Sequence, residues 1–334
     1  MLEGVSRTFA LTIPQLPGDL TTVVSNGYLL CRIMDTIEDE PALSPAAKRD
    51  FSARFVGAVT GTGSVERFSA ELAPLLSAST IPAEHDLIRE TPRVLEITHR
   101  FTPSQQAALA TCVREMGAGM VRFQESRHAG PARGLEDLAE LNRYCYHVAG
   151  VVGEMLTRLF CEYSPAIAAQ RETLMPLAVS FGQGLQMTNI LKDIWADLGR
   201  GACWLPRDVF ARAGFNLKDL APHQYNAAFG RGLMSLVALA HGHLRNAMQY
   251  TLLMPAEETG IRNFCLWAIG MAILTLRKIH RHPDFAHGDE VKISRRSVKA
   301  IVIASRLAAG HDGAIEVLAR AAAIGLPLMQ TEVS

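Results

Sequence analysis

The chain has 334 residues, enough for one large domain or two smaller ones and for a sizeable buried core. Its 33 Lys and Arg are balanced by 33 Asp and Glu, so no overall field favours nucleic acid. The six cysteines form no C-x-x-C pair and lie mostly in apolar stretches, which argues against a disulfide scaffold or a zinc site and for a reducing cytoplasm.

Helix signals dominate in chain order. Pro14 and Pro17 interrupt the opening segment, and Asp19 is a candidate N-cap for a helix running to about Asp39. Pro41 and Pro45 end that helix and start the next, 45–59. Gly and Thr between 57 and 64 mark a loop. Further helices are predicted over 65–76, 83–99, 103–126, 135–163, 165–198, 223–253, 257–281 and 294–324, with a loop over 282–293. No alternating strand pattern exceeds a few residues. No Pro/Gly/Ser linker and no repeat divides the chain, so one all-α domain over 1–334 is expected. No basic-then-apolar leader is visible. The most apolar stretch, 264–276, is bounded by Arg262 and Arg277 and reads as a core helix too short to span a bilayer.

Two acidic motifs carry the chemistry. Asp35, Glu38 and Asp39 share one helix face by their three- and four-residue spacing. Acids at a helix C-terminus also oppose the macrodipole, which favours a cation there over a plain surface role. Gln186, Asn189, Asp193 and Asp197 step by three, four and four after a largely apolar run. Polar groups on a buried helix need partners, either a structural water network or a metal. Two carboxylate faces meeting across a cavity would repel unless cations lay between them. Hard oxygen ligands of this kind suit Mg²⁺ bridging to substrate phosphates. Arg7 and Arg32 offer forked donors for a diphosphate, or surface ion pairs. Tyr144 and His147 precede the small residues Ala149, Gly150 and Gly153, which leave room for a ligand or a close neighbour. Neither G-x-G-x-x-G nor G-x-x-x-x-G-K-[ST] is present, so Rossmann and P-loop sites are not supported.

These blocks resemble the squalene/phytoene synthase family. The resemblance rests on Val5 to Phe9, Tyr28 to Asp39, Tyr144 to Gly153, and Gly184 to Asp193 with Asp197. Asn263 to Cys265 with Met271 to Leu276, and Val291 to Ile293 with Arg295, resemble its squalene branch. Ser294 departs from that pattern, since the family tends to carry a basic residue there. Glu40 stands where many relatives have Asp.

The resemblance implies a single large helical bundle of the isoprenoid synthase type with a central apolar cavity. It implies head-to-head condensation of two farnesyl diphosphates to presqualene diphosphate, then NADPH-dependent reduction to squalene, NADH being the other reductant. The alternative is a dehydrosqualene or phytoene synthase that needs no reductant. Mg²⁺ would be held by Asp35, Glu38, Asp39, Asn189, Asp193 and Asp197. Ser6, Arg7, Phe9, Arg32, Gln186 and Asn189 would bind substrate, and Tyr144 would sit near the reacting carbons. Lys292 and Arg295 would contact the nicotinamide cofactor. A cytoplasmic enzyme is expected, with peripheral contact at the inner membrane face compatible with its oily product.

Overall fold

Apolar residues three and four apart drive the helices, and short polar caps close their ends. The computed structural model describes residues 1–6, 8–128, 133–329 and 331. Among the described residues there is no strand, only an isolated bridge between Leu135 and Pro206. The longer helices are α1 (Gly18–Asp39), α2 (Pro45–Val59), α3 (Pro103–His128), α4 (Leu138–Cys145), α5 (Val151–Tyr163), α6 (Arg171–Gly199), α7 (Ala227–Leu252), α8 (Thr259–Arg281), α9 (Arg295–Ala308) and α10 (Asp312–Ala323).

The boundaries differ from expectation where local chemistry overrides periodicity. Pro17, not Asp19, stands at the N-cap of α1, and Asp19 lies in the first turn, where its charge suits the macrodipole. The expected helix 83–99 is two, Pro82–Arg89 and Thr91–Thr98, parted at Glu90 before Pro92. The expected helix 135–163 contains a π-turn, Tyr146–Gly150, between α4 and α5. The expected helix 165–198 is a short turn, Pro165–Ala168, followed by α6. The expected helix 294–324 breaks around Gly310 into α9 and α10. The 282–293 loop holds a short helix, Gly288–Val291.

The chain packs as two compact units, Met1–Ala129 with Glu154–Ala169, and Gly130–Gly153 with Gln170–Ser334. In the first, Leu30, Ile33, Met34 and Ile37 form the fully buried stripe of α1. Gly117 of α3 approaches both Met34 of α1 and Val56 of α2. Phe55 of α2 packs on Phe68 with ring centroids 5.3 Å apart. Burying this stripe leaves the opposite face of α1 to polar residues.

In the second unit α6 runs along α7. Ser180 and His243 Nδ1 are 2.8 Å apart, and Asn246 donates to Ser180 at 2.9 Å. Burial pushes the His243 imidazole down to about 4, so it stays neutral. The crossing of the π-turn over α6 is a backbone contact. A Cβ on Gly182 would lie 2.2 Å from the Ala149 carbonyl oxygen, and one on Gly153 would lie 2.2 Å from that of Ala178. Helix α8 is long and apolar enough to cross a membrane, but its apolar window is 72% buried inside the protein. The thirteen-residue run seen in the sequence underestimates its length; burial, not shortness, makes it a core helix.

Gly182→Ala should therefore destabilise the protein by about 1–3 kcal/mol, since the obstacle is backbone that cannot rotate away. A fall in the urea unfolding midpoint checks this, and an unchanged midpoint would contradict the close crossing.

Candidate functional site

On α1 the residues Tyr28, Arg32, Asp35 and Asp39 step by four, three and four along the face opposite the buried stripe. The Arg32 guanidinium pairs with the Glu84 carboxylate and lies 3.9 Å from Asp35. Its Nε–H is buried and finds no protein acceptor. That orphan donor suits an anionic oxygen brought by a ligand. The N-terminal segment reaches the same stripe. The Phe9 N–H donates to Ser6 Oγ at 2.9 Å, the Phe9 ring lies 5.2 Å from that of Tyr28, and the Tyr28 hydroxyl donates to the Val5 carbonyl at 3.2 Å. Ser6, Phe9, Arg32, Asp35 and Asp39 are thus assembled in one place; Arg7 lies outside the described residues.

Asp35 carries the electrostatic signature. Its carboxyl is pushed up to about 7, chiefly by burial; Arg32 pulls it down, while Asp39 and Glu84 push it further up. With 31% of the side chain still open, solvent tempers the effect. Glu38 is placed differently from its two neighbours. It is more enclosed than Asp35 and Asp39, and Lys48 Nζ donates to its backbone carbonyl. Glu40 is not part of the stripe. Burial would raise its carboxyl, but the Ala42 and Ser77 N–H groups and the Thr80 hydroxyl, at 2.8–2.9 Å, outweigh that and hold it low. It closes the C-terminus of α1, a structural duty.

In the second unit α6 carries Gln186, Asn189, Asp193 and Asp197. Asn189 is exposed, Asp193 is partly exposed and Asp197 is buried. Lys192 Nζ lies 3.1 Å from Asp193, and Arg200 lies 2.5 Å from Asp197. Tyr144 is buried, and its ring stacks on Trp204 at 3.9 Å with an 11° interplanar angle. The 282–293 segment is pinned to α6 by Trp195 Nε1 donating to the Phe285 carbonyl at 2.7 Å. It passes close to the second acidic motif: a Cβ on Gly288 would lie 3.4 Å from Asp193 Oδ1. Lys292 follows on this segment, exposed, with Nζ 3.2 Å from Asp289. Arg295 opens α9 and is exposed, while Ser294 serves as its N-cap, accepting from the Ser297 N–H at 3.1 Å.

Glu84, Trp204 and Arg200 were not singled out from the sequence. Glu84 and Trp204 are distant in the chain from the residues they touch. Arg200 had a signal, since it lies three residues after Asp197.

Among the described residues no group of three His, Cys, Asp or Glu side chains is arranged to hold a metal by itself. The donors present are carboxylates, and the elevated Asp35 marks a local shortage of positive charge. Both fit Mg²⁺, which takes one or two carboxylates and completes its shell with water and phosphate oxygens.

A model of the squalene/phytoene synthase family matches residues 2–297. The chain belongs to the squalene/phytoene synthase family. It is therefore an enzyme of the prenyltransferase type. It is 28% identical over 320 residues to the squalene synthase ERG9 of Candida albicans, covering 93% of this chain and 67% of that protein. The solved complex of TcSQS with the ligand BPH1237 superposes with a TM-score of 0.70 at 22% identity, covering 96% of this chain and 95% of that one. A dehydrosqualene synthase in complex with a ligand gives 0.62 at 19% identity, covering 92% and 93%. These likenesses establish the fold as the all-α isoprenoid synthase fold.

The raised Asp35 carboxyl predicts a signed stability effect. A carboxyl whose folded pKa lies above its unfolded value loses stability as pH rises through that interval, here from about 4 to about 7. In Mg²⁺-free buffer Asp35→Asn should raise Tm, with the gain larger at pH 8 than at pH 5. Thermal scans at both values check it, and an equal or lower Tm at pH 8 would contradict the assignment.

Proposed function

We propose that the chain, residues 1–334 acting as a single synthase domain, joins two farnesyl diphosphates head to head and reduces the product to squalene. The observation that carries this reading is the α1 stripe. There an orphan guanidinium N–H and a carboxylate that burial destabilises and one cation only partly offsets lie side by side, an arrangement suited to a metal-bound diphosphate. The family match and the naming of the Candida albicans relative support it.

In this reading Arg32 and Arg7 take diphosphate oxygens, and Ser6 and Phe9 flank them. Asp35, Glu38 and Asp39 on one helix, and Asn189, Asp193 and Asp197 on another, would hold Mg²⁺. When bound, Mg²⁺ neutralises the charge that collects on the departing diphosphate. The donor C–O bond breaks, and its electron pair leaves with the diphosphate. The 2,3-double bond of the second molecule attacks the allylic cation, and the released diphosphate takes up the proton whose loss closes the cyclopropane of presqualene diphosphate. A second ionisation, rearrangement and hydride capture give squalene. Tyr144, held against Trp204, would act near the reacting carbons, and Gln186 would orient substrate. Apolar walls keep water from quenching the cations. Lys192 and Arg200 must release Asp193 and Asp197, and both then become free to meet phosphate.

NADPH or NADH would supply the hydride. Lys292 and Arg295 are the cations that would meet its phosphates, and the approach of their segment to Asp193 supports that placement. A cytoplasmic location is supported by thiol chemistry: Cys31 and Cys112 lie 3.9 Å apart as free thiols.

A second reading, dehydrosqualene or phytoene formation without reductant, is favoured by the likeness to the dehydrosqualene synthase structure. Product analysis separates the two. Incubation with farnesyl diphosphate and Mg²⁺ should give squalene only when NADPH or NADH is present, and presqualene diphosphate without it. Asp193→Asn should lower turnover by at least about two orders of magnitude with helical circular dichroism unchanged. A dehydro product indifferent to reductant would move the protein to the second reading. No consumption of farnesyl diphosphate would contradict the primary one.

A further inference from the structure

Helices α9 and α10 pack on each other and on α8. Their inner faces are fully supplied with core. Ala308, Ala309 and Ile315 are buried with Trp267 and Leu266, and Ile301 and Val302 pack against that cluster. A Cβ on Gly270 of α8 would lie 2.9 Å from the Ile301 side chain, so the contact is close. The turn between the two helices is also held firmly. Buried Arg262 donates to the Ala309 carbonyl at 3.0 Å and to Asp312 Oδ1 at 2.7 Å. These helices are therefore a rigid part of the second unit.

Their outer faces nonetheless carry large aliphatic side chains. Ile303 is 61% exposed and Leu307 78% exposed on α9; Val317 is 62% exposed on α10, and Ile324 just after it 70%. On α9, Arg296, Ile303 and Leu307 share one stripe at helical spacing, with Lys299 on its flank. From Lys292 to Ala308 the chain carries five cations (Lys292, Arg295, Arg296, Lys299 and Arg306) and no acid. That is a local excess in a chain whose net charge is zero. Arg306 lies over the Trp267 ring at 5.4 Å. Exposed aliphatics bordered by cations on a rigid amphipathic helix have the chemistry of an interfacial surface.

We propose that the outer face of α9 and α10 docks on the surface of an anionic lipid bilayer. Ile303, Leu307, Val317 and Ile324 enter the acyl boundary, and Arg296 and Lys299 meet lipid phosphates. Charge complementarity selects this occupant over a second copy of the chain, because two such faces would bring their cation clusters together. The surface stands independently of which prenyl product the enzyme makes.

Co-sedimentation of the full chain with vesicles tests it. Binding should be strong to mixed phosphatidylcholine and phosphatidylglycerol vesicles, weak to phosphatidylcholine alone, and should fall as salt is raised. Arg296→Gln with Lys299→Gln should weaken binding about 30-fold, each cation accounting for roughly a five-fold loss. Ile303→Ser with Leu307→Ser should weaken it even at low salt. All four positions are exposed, so circular dichroism should not change. Protein that stays in the supernatant with both vesicle types overturns the proposal, as does binding that neither pair of substitutions affects. A dimer in sedimentation velocity that Leu307→Ser dissociates would assign the face to a second copy and overturn it too. Farnesyl diphosphate consumption in detergent is read separately: its loss in the unsubstituted protein with vesicle binding intact counts against the reaction and not against the surface.

Discussion

The Asp35 carboxyl sits where the protein alone does not keep it fully ionised near neutral pH. Burial and the neighbouring acids Asp39 and Glu84 oppose its charge, and one guanidinium, Arg32, only partly offsets them. That arrangement follows directly from how α1 is built. Four aliphatic residues at core spacing commit one side of the helix to the interior. The polar residues at 28, 32, 35 and 39 then have no choice but to line up on the other side. A folded stripe of this kind stores unfavourable electrostatics that a cation relieves. The same geometry leaves the Arg32 Nε–H without a protein acceptor, which suits an anionic oxygen brought by a ligand.

The second unit meets a different constraint. Backbone contact of α6 with the π-turn and with the first turn of α5 needs glycine at 182 and 153. A π-turn widens the helix by one residue and redirects what precedes it. Tyr144 lies just before that turn and is held flat against Trp204. Asp193 and Asp197, in contrast, are matched by cations of their own helix neighbourhood, Lys192 and Arg200. The two acidic motifs thus differ in their surroundings: Arg32 only partly offsets Asp35, whereas Lys192 and Arg200 lie 3.1 and 2.5 Å from Asp193 and Asp197.

Much of this was legible in the residues. The extent of α1 to Asp39 and the stripe on α6 came from spacing alone, because helix period is a local property. The break before Pro92 was legible in principle, since proline removes a donor and disfavours helix at the residue before it. The π-turn was not, because it is imposed by the approach of α6 and no local pattern encodes it. Nor was the pairing of Arg32 with Glu84, 52 positions away in the chain, or the stacking of Trp204 on Tyr144. Glu40 continues the acidic run in sequence, yet donors from Ala42 and from the distant Ser77 and Thr80 occupy its carboxylate oxygens, which spacing alone does not reveal. The outward aliphatics of α9 were not legible, because apolar residues occur on its covered side and among its exposed cations alike, and only burial tells which of them are covered.

The most direct measurement is calorimetric binding of a non-ionisable thio-analogue of farnesyl diphosphate, with and without Mg²⁺, to the unsubstituted protein and to Asp35→Asn and Asp193→Asn. Binding that requires Mg²⁺, and that either substitution weakens about tenfold or more, is the predicted result. Equal affinity without Mg²⁺, or in both variants, would contradict the assignment of the two acidic motifs to a metal-held diphosphate.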